Sequence, residues 1–425
     1  MKKKHVVFLD AATLTGAVSS QSVREQEAQG PARSMLELRA TVLESVAQAL
    51  HEAKQQNLSA EAGASRAVAR MISRPLDASS MAVKGPPPGS HRVLAGIGAL
   101  EIDEDKFDLA HVDSLPGAQR FPSDTAIELP PPAAQSEANE SSKSWHLALI
   151  GASPNSGQGK DVLVGVLDTG IDASHPEFAS VKVDFASFDP QGQKTSATAN
   201  DKGDHGTHVC GLIAGATCGV APAARLAVAQ VLTEASPNGG RSGTLIQIAA
   251  GMNWLLSQSF VSGKTGVDIV NASLGGATNN YLLNACKNAP SLIVAAIGNN
   301  GRSGVGNTGS PGNYQLPNLL GVGASDAKDV VADFSDWDPQ LKKPDLSAPG
   351  VDVYSAKPGG GYQLMSGTSM ASPVTAGLAA RELAQSRAAS KPLSPSQLAS
   401  KLVAGVVSVT DNPRGNKGGA GRIKA

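Results

Sequence analysis

Aromatic residues make up only 4% of the 425 positions, and there are only three cysteines, Cys210, Cys218 and Cys286. So few rings exclude a core of large aromatic side chains. Burial must come from small aliphatics and close backbone approach, which 46 glycines permit. An odd cysteine count without C-x-x-C spacing excludes a disulfide framework and offers no zinc pattern, so buried free thiols are expected. The formal net charge is -1, which leaves no long-range field to gather nucleic acid or an anionic membrane. No run approaches the roughly 18 apolar residues of a membrane span. Lys2-Lys3-Lys4 before Val6-Val7-Phe8-Leu9 resembles the start of a secretory leader, but Asp10 ends the run short of the roughly 7–15 apolar residues a leader needs. A β-strand is expected there instead. The compartment stays open, and the short apolar run with unpaired cysteines favours the cytoplasm.

What is present is an ordinary folded-protein balance, 41% hydrophobic and 17% charged, over enough length for two or three domains. In the first third, residues 6–9 read as a strand, and Met35, Leu38, Val42, Val46 and Leu50 mark a helical stripe. Pro86-Pro87-Pro88-Gly89 reads as a turn, 93–102 as one strand, 107–112 as a short helix and 126–129 as a last strand. This is a small α+β pattern. Pro130-Pro131-Pro132 and the polar stretch to Ser144 read as an exposed linker, so the expected domains are 1–140 and 141–425.

Beyond the linker, apolar strands at 162–167, 226–232, 269–272, 292–296 and 319–322 alternate with helical patterns at 205–216, 243–259, 279–289, 370–386 and 395–403. Such alternation implies an α/β fold: a mostly parallel central sheet flanked by helices, with functional groups at the strand carboxyl ends.

Three segments carry chemistry. The strand Val164-Gly165-Val166-Leu167 delivers Asp168 to a Thr169-Gly170 turn; Asp204-His205-Gly206-Thr207-His208 opens a helix; and Ser366-Gly367-Thr368-Ser369-Met370-Ala371-Ser372-Pro373 presents a hydroxyl where a small-residue helix begins. A serine alcohol needs a base within hydrogen-bond reach and a group to orient that base. Taken singly, the same residues fit a turn aspartate, a structural histidine and an N-cap serine.

In the order Asp168, His205, Ser369, each within an extended motif, the chain resembles the subtilase family of serine proteases from about Trp145 to its C-terminus. The resemblance implies Ser369 as nucleophile, His205 as general base and Asp168 as the residue that orients the imidazole. In Ala295-Ala296-Ile297-Gly298-Asn299-Asn300-Gly301 it implies Asn299 as oxyanion donor beside the Ser369 backbone N–H, with Asn300 as the competing assignment. Ser273-Leu274-Gly275-Gly276 and Gly240-Arg241-Ser242-Gly243 resemble the two edges between which an extended peptide lies. The first specificity pocket would then be walled by 273–275 and by Ala295 to Gly298, with room for a sizeable apolar side chain. His208, Asp172 and His175 match supporting positions.

The chain departs from the family at Asp204, where glycine is usual, and this charge is expected to raise the His205 pKa. It departs again between Gly215 and Gly219, which is too short for a loop carrying a tight calcium site. No cofactor is required by the chemistry, and calcium finds no support in the sequence. The first 140 residues are similar in character to subtilase propeptides. They imply an intramolecular inhibitor and folding aid whose tail near 127–129 lies in the cleft; a permanently attached accessory domain is the alternative. The expected activity is serine endopeptidase, made as a self-processed zymogen and acting on polypeptides, with no nucleic-acid or membrane partner. A peptide ligase or cyclase and an inactive binding protein are the alternatives.

Overall fold

The computed structural model describes residues 3–9, 14, 35–73, 89–129, 132–137, 144–152, 158–237, 239–275 and 280–425. The turn at 86–88, Pro130, Pro131, Gly276 and linker residues 138–143 lie outside the described residues.

In the first part of the chain, β1 (Lys4–Phe8), the helices α1 (Met35–Gln55) and α2 (Ala60–Ser73), β2 (His91–Leu94), β3 (Ala99–Asp103), α3 (Leu109–Asp113) and β4 (Gln119–Pro122) follow in order. The strands form one antiparallel sheet, β2-β3-β1-β4. The run 93–102, expected as one strand, is a hairpin: β2 and β3 pair across a turn at 95–98, where Gly98 takes a φ of +68°. Val7, Leu9, Leu38, Val42, Leu50, Leu100 and Ile102 fill the core between this sheet and its helices. Two further short strands, β5 (Ala126–Leu129) and β6 (Ala134–Glu137), leave this sheet altogether. The residues expected as free linker therefore include a paired strand.

The second part opens with α4 (Trp145–Ile150) and then winds through β7 (Leu163–Asp168), β8 (Val183–Phe188), β9 (Lys194–Ser196), α5 (His205–Ala214) and β10 (Arg225–Gln230). The hairpin strands β11 (Glu234–Ala235) and β12 (Arg241–Thr244) precede α6 (Leu245–Ser257), β13 (Ile269–Ala272), α7 (Leu283–Asn288), β14 (Leu292–Ala296), β15 (Leu319–Ser325) and β16 (Leu346–Pro349). The chain continues through β17 (Val353–Ala356), β18 (Tyr362–Ser366), α8 (Thr368–Ala388) and α9 (Pro395–Ala404). The central sheet runs β16-β15-β14-β13-β7-β10-β8-β9, parallel except for its β8-β9 edge.

Strands buried on both faces read as continuous apolar runs, and β7, β13, β14 and β15 are buried at every residue. One core packs α5, α8 and α9 against the sheet. The other packs α6 and α7 against its opposite face and takes in Val6, Phe8, Ile97, Ile127 and Leu129 from the first part. The α6 start is closed by a capping box: Gln247 N donates to Thr244 Oγ1 and Thr244 N to Gln247 Oε1, both at 3.2 Å. Its next free donors go outside the helix, Leu245 N to Thr125 O at 2.7 Å and Ile246 N to Ser123 O at 3.0 Å. The segment leading into β5 thus caps a helix of the second part.

Candidate active site

Asp168 ends β7, and its side chain is fully buried. An ionised carboxylate in such a place costs several kcal/mol unless it is paired or hydrogen-bonded. Thr169 N donates to its Oδ1 at 2.7 Å, and His205 Nδ1 lies 2.8 Å from Oδ1 and 3.0 Å from Oδ2. The turn after β7 and the start of α5 are knitted together. Gly206 N donates to Thr169 Oγ1 at 2.9 Å, and the Thr169 hydroxyl donates to Asp201 Oδ1 at 2.6 Å. The other Asp201 oxygen accepts from Thr207 N at 2.8 Å and from Thr207 Oγ1 at 2.6 Å. A Cβ on Gly206 would stand 2.1 Å from Gly170 O, so only glycine lets the helix close on this turn.

Burial disfavours a charged His205 ring, but the Asp168 charge, its hydrogen bond and the Asp201 charge outweigh that and raise its pKa above 6.5. The direction matches the expectation and the source does not. Asp204 holds the N-cap position without a side-chain cap bond, and Asp201 is the second acid acting on the ring. Asp201 carried no motif in sequence; the one available signal was an acid shortly before a helix start.

Ser369 sits in the first turn of α8, largely buried, with Oγ donating to Ser273 O at 3.4 Å. In return Ser273 Oγ donates to Ser369 O at 3.0 Å, tying α8 to the end of β13. His205 Nε2 is buried without a hydrogen-bond partner. It is the open position of the ring, on the side away from Asp168.

Asn299 follows β14, and its Oδ1 accepts from Thr368 N and Thr368 Oγ1, both at 2.9 Å. That fixes the amide with Nδ2 outward beside Gly367, where a Cβ would come within 3.3 Å of it. Leu274, Gly275, Ala296, Gly298, Asn299 and Ser369 share a cavity wall with Leu129. Of the wall expected from Ala295 to Gly298, Ala296 and Gly298 line this cavity, and Ala295 is buried within β14. Gly309 also lines the cavity, and no sequence signal marked it. Gly240 and Arg241 border a second cavity together with Leu129, Pro132, Asp204 and His205. Ser242 and Gly243 belong to β12, which pairs antiparallel with β5 in the register Arg241↔Leu129, Ser242↔Glu128 and Gly243↔Ile127.

Three residues expected to be structural have structural partners. His208 Nε2 meets Val353 O at 3.0 Å, and burial pushes its pKa down to about 3. Asp172 accepts from Gly359 N at 2.9 Å, and His175 Nε2 meets Gly361 O at 2.8 Å. Cys210, Cys218 and Cys286 are buried and free. Among the described residues no three His, Cys, Asp or Glu side chains are grouped to hold a metal ion, and no helix is long and apolar enough to cross a membrane.

The order of the elements that carry Asp168, His205 and Ser369 is that of a subtilisin-like fold, and comparison with known proteins agrees. The subtilase family model matches residues 159–421, and the chain belongs to that family. It is 36% identical over 248 residues to subtilisin-like protease 1 of Arthroderma gypseum, covering 56% of this chain and 48% of that one. It is 34% identical over 237 residues to subtilisin-like protease 3 of Arthroderma otae, covering 54% of each. The chain thus spans about half the length of these relatives. Among solved structures it is similar to a cold adapted subtilisin-like serine proteinase, with a TM-score of 0.50 and 30% identity over 63% of this chain and 89% of the other. It is also similar to the prenylagaramide maturation protease PagA, with a TM-score of 0.50 and 26% identity over 65% and 94%.

Proposed function

We propose that the protein is a serine endopeptidase that hydrolyses polypeptides through an acyl-enzyme on Ser369. His205 Nε2 takes the Ser369 proton as Oγ attacks the carbonyl carbon, then delivers it to the leaving amine; a water repeats the cycle to release the acid. Asp168 holds the tautomer with Nδ1 protonated and stabilises the imidazolium. Asn299 Nδ2 and the Ser369 backbone N–H receive the oxyanion. The observation that carries this reading is the buried Asp168–His205 pair with the far ring nitrogen left open. The residues at 273–275 and 240–243 are the edges for substrate.

The first part, 1–140 with its linker, acts as a propeptide-like inhibitor and folding aid for the catalytic part, 141–425. Its support is β5, which lies on β12 in the manner of an extended substrate and brings Leu129 to both cavities that flank the reacting groups.

The test is incubation of an unstructured polypeptide with wild-type and Ser369→Ala protein, with products read by mass. Fragments whose summed mass exceeds that of the parent by one water per cut, made by the wild type alone, support hydrolysis. Fragments joined without water gain would show acyl transfer to an amine instead, and equal cleavage by Ser369→Ala would remove Ser369 from the chemistry.

A further inference from the structure

A cavity beside the end of β18 takes no part in the chemistry above. β6 pairs antiparallel with β18, with Ala134 opposite Ser366, and Ala133 N donates to Ser366 O at 2.7 Å. Residues opposite each other on paired strands carry their side chains on one face, with Cβ atoms about 4.5–5.5 Å apart. On that face Ala134 and Ser366 border a cavity of about 510 Å³, to which Ala134 offers only a methyl group. Gln135 is turned to the other face, where it borders the His205 cavity and its Nε2 donates to Gln363 Oε1 at 2.8 Å.

Val331, Ala332, Phe334 and Val351 give this cavity its apolar lining, and two arginines and three aspartates give it its charged one. Both arginines face one acid. Arg302 Nε and Nη2 donate to the two oxygens of Asp333 at 2.9 and 2.8 Å, and Arg414 Nη1 stands 3.7 Å from Asp333 Oδ2. Asp326 and Asp352 have no cationic partner among the described residues. Asp326 Oδ1 accepts from Lys328 N and Val330 N in its own turn, and Asp352 Oδ1 accepts from Ser366 Oγ at 3.1 Å. The Asp352 carboxylate is thus held by the residue directly across from Ala134.

We propose that this cavity is a pocket for a basic side chain, lysine or arginine, of a polypeptide lying along β18 where β6 lies. This rests on the protease reading above and adds a selectivity to it. Leu129 borders the cavity of Ser369 and Asn299, and β6 follows Leu129 in the chain, so a polypeptide on the same path meets this pocket on the amine side of the broken bond. The methylene stem of a lysine or arginine covers the apolar lining, and its charged head pairs with the carboxylates that have no cation of their own. A glutamate in the same place brings a third unpaired carboxylate to Asp352 and Asp326.

The experiment has one arm that needs no activity and one that does. In the first, the full chain carries Ser369→Ala together with Ala134→Lys, Ala134→Met or Ala134→Glu, and hydrogen exchange reads the protection of the Ala133 amide. Protection should be about 3-fold higher with Ala134→Lys than with Ala134→Met, the scale of a partly exposed ion pair, and lowest with Ala134→Glu. Asp352→Asn removes the charge at nearly constant size, in a left-handed backbone position (φ +49°) that asparagine accepts, and should bring Lys and Met together. In the second arm, the wild-type chain is given peptides whose cut bond is mapped by mass, with Lys, Met or Glu at each of the first five positions beyond it, since Ala134 is the fifth residue after Leu129. At one of these positions kcat/KM should be about 3-fold higher for Lys than for Met, less so at 0.5 M salt, and the preference should vanish in Asp352→Asn. Equal protection by Lys and Met, higher protection by Glu, cutting without a preference, or a preference that survives Asp352→Asn would overturn the proposal. Protection by Lys with no peptide cut at all would instead sink the protease reading and leave the pocket standing, so the two failures are distinct.

Discussion

The Nδ1 atom of His205 is within hydrogen-bond distance of both oxygens of Asp168, at 2.8 and 3.0 Å, and both side chains are buried. A buried carboxylate facing one ring nitrogen in this way selects the tautomer whose other nitrogen can accept a proton. Asp168→Asn should keep the fold and lower kcat by about 10⁴-fold, the scale set by the wrong tautomer. The measurement is kcat at saturating polypeptide. A loss of under about 10-fold, or about 1.4 kcal/mol in the barrier, would remove Asp168 from this role.

The pH dependence follows from the same pair with Asp201 added. The base must be neutral to act, and its pKa is raised above 6.5, so activity should fall on the acid side through a limb lying above 6.5. Asp201→Asn should move that limb toward lower pH by removing one negative charge, while Asp204→Asn should leave it in place. A profile of kcat/KM against pH for the three chains decides; a shift with Asp204→Asn and none with Asp201→Asn would reverse the assignment.

On the proposed reading Asn299, and not its neighbour Asn300, receives the oxyanion. The Asn299 amide is oriented by Thr368, which leaves Nδ2 free at the cavity wall. Asn299→Ala should therefore cost about 10²–10³ in kcat with KM nearly unchanged, since the donor is used mainly in the transition state. Asn300→Ala should cost far less. The opposite order in measured kcat would transfer the donor role to Asn300.

Asp336 lies beneath the same loop, fully buried, with Asp336 N donating to Gly298 O at 3.1 Å. Its Oδ2 fills the space a Cβ of Gly298 would need, 2.1 Å from that position. Neither oxygen has a well-formed hydrogen bond, although Asn300 lies near enough to favour the anion in part. Burial dominates and pushes the pKa up from 3.8 to about 7. Between those values the folded chain keeps a proton that the unfolded chain releases, so this group makes the fold less stable as pH rises from 3.8 to about 7. Below that window it contributes nothing, and above it the penalty is full, at most about 4 kcal/mol at 1.36 per unit. Thermal melts of Asp336→Asn and wild type should diverge in favour of the variant as pH rises from 4 to 8. A difference that does not change with pH would contradict the assignment.

The parts of the fold that sequence made plain are those where burial leaves a one-dimensional trace. Strands β7, β13 and β14 are covered on both faces, so their apolar runs marked them to within a residue or two. Asp168, His205 and Ser369 were legible because each sits where a strand ends or a helix begins. What stayed hidden depends on partners distant in sequence. The polar run at 134–137 has no strand pattern of its own and is held by the β18 edge, more than two hundred residues on. The hairpin within 93–102 was masked because Val93 and Leu94 on one side of a glycine turn, and Ala99, Leu100 and Ile102 on the other, are all apolar. Asp201 matters through three hydrogen bonds to residues of two other segments, and Ala295 is turned from the cavity by the strand alternation that brings Ala296 to it.

The central claim is that Ser369 is the nucleophile of a hydrolytic site, and covalent trapping tests it most directly. The protein, treated with a fluorophosphonate and mapped by peptide mass, should carry one phosphonyl group on Ser369, lose its polypeptide hydrolysis in step with labelling, and fail to label as His205→Ala. A label on another residue, or hydrolysis that survives full labelling of Ser369, would contradict it.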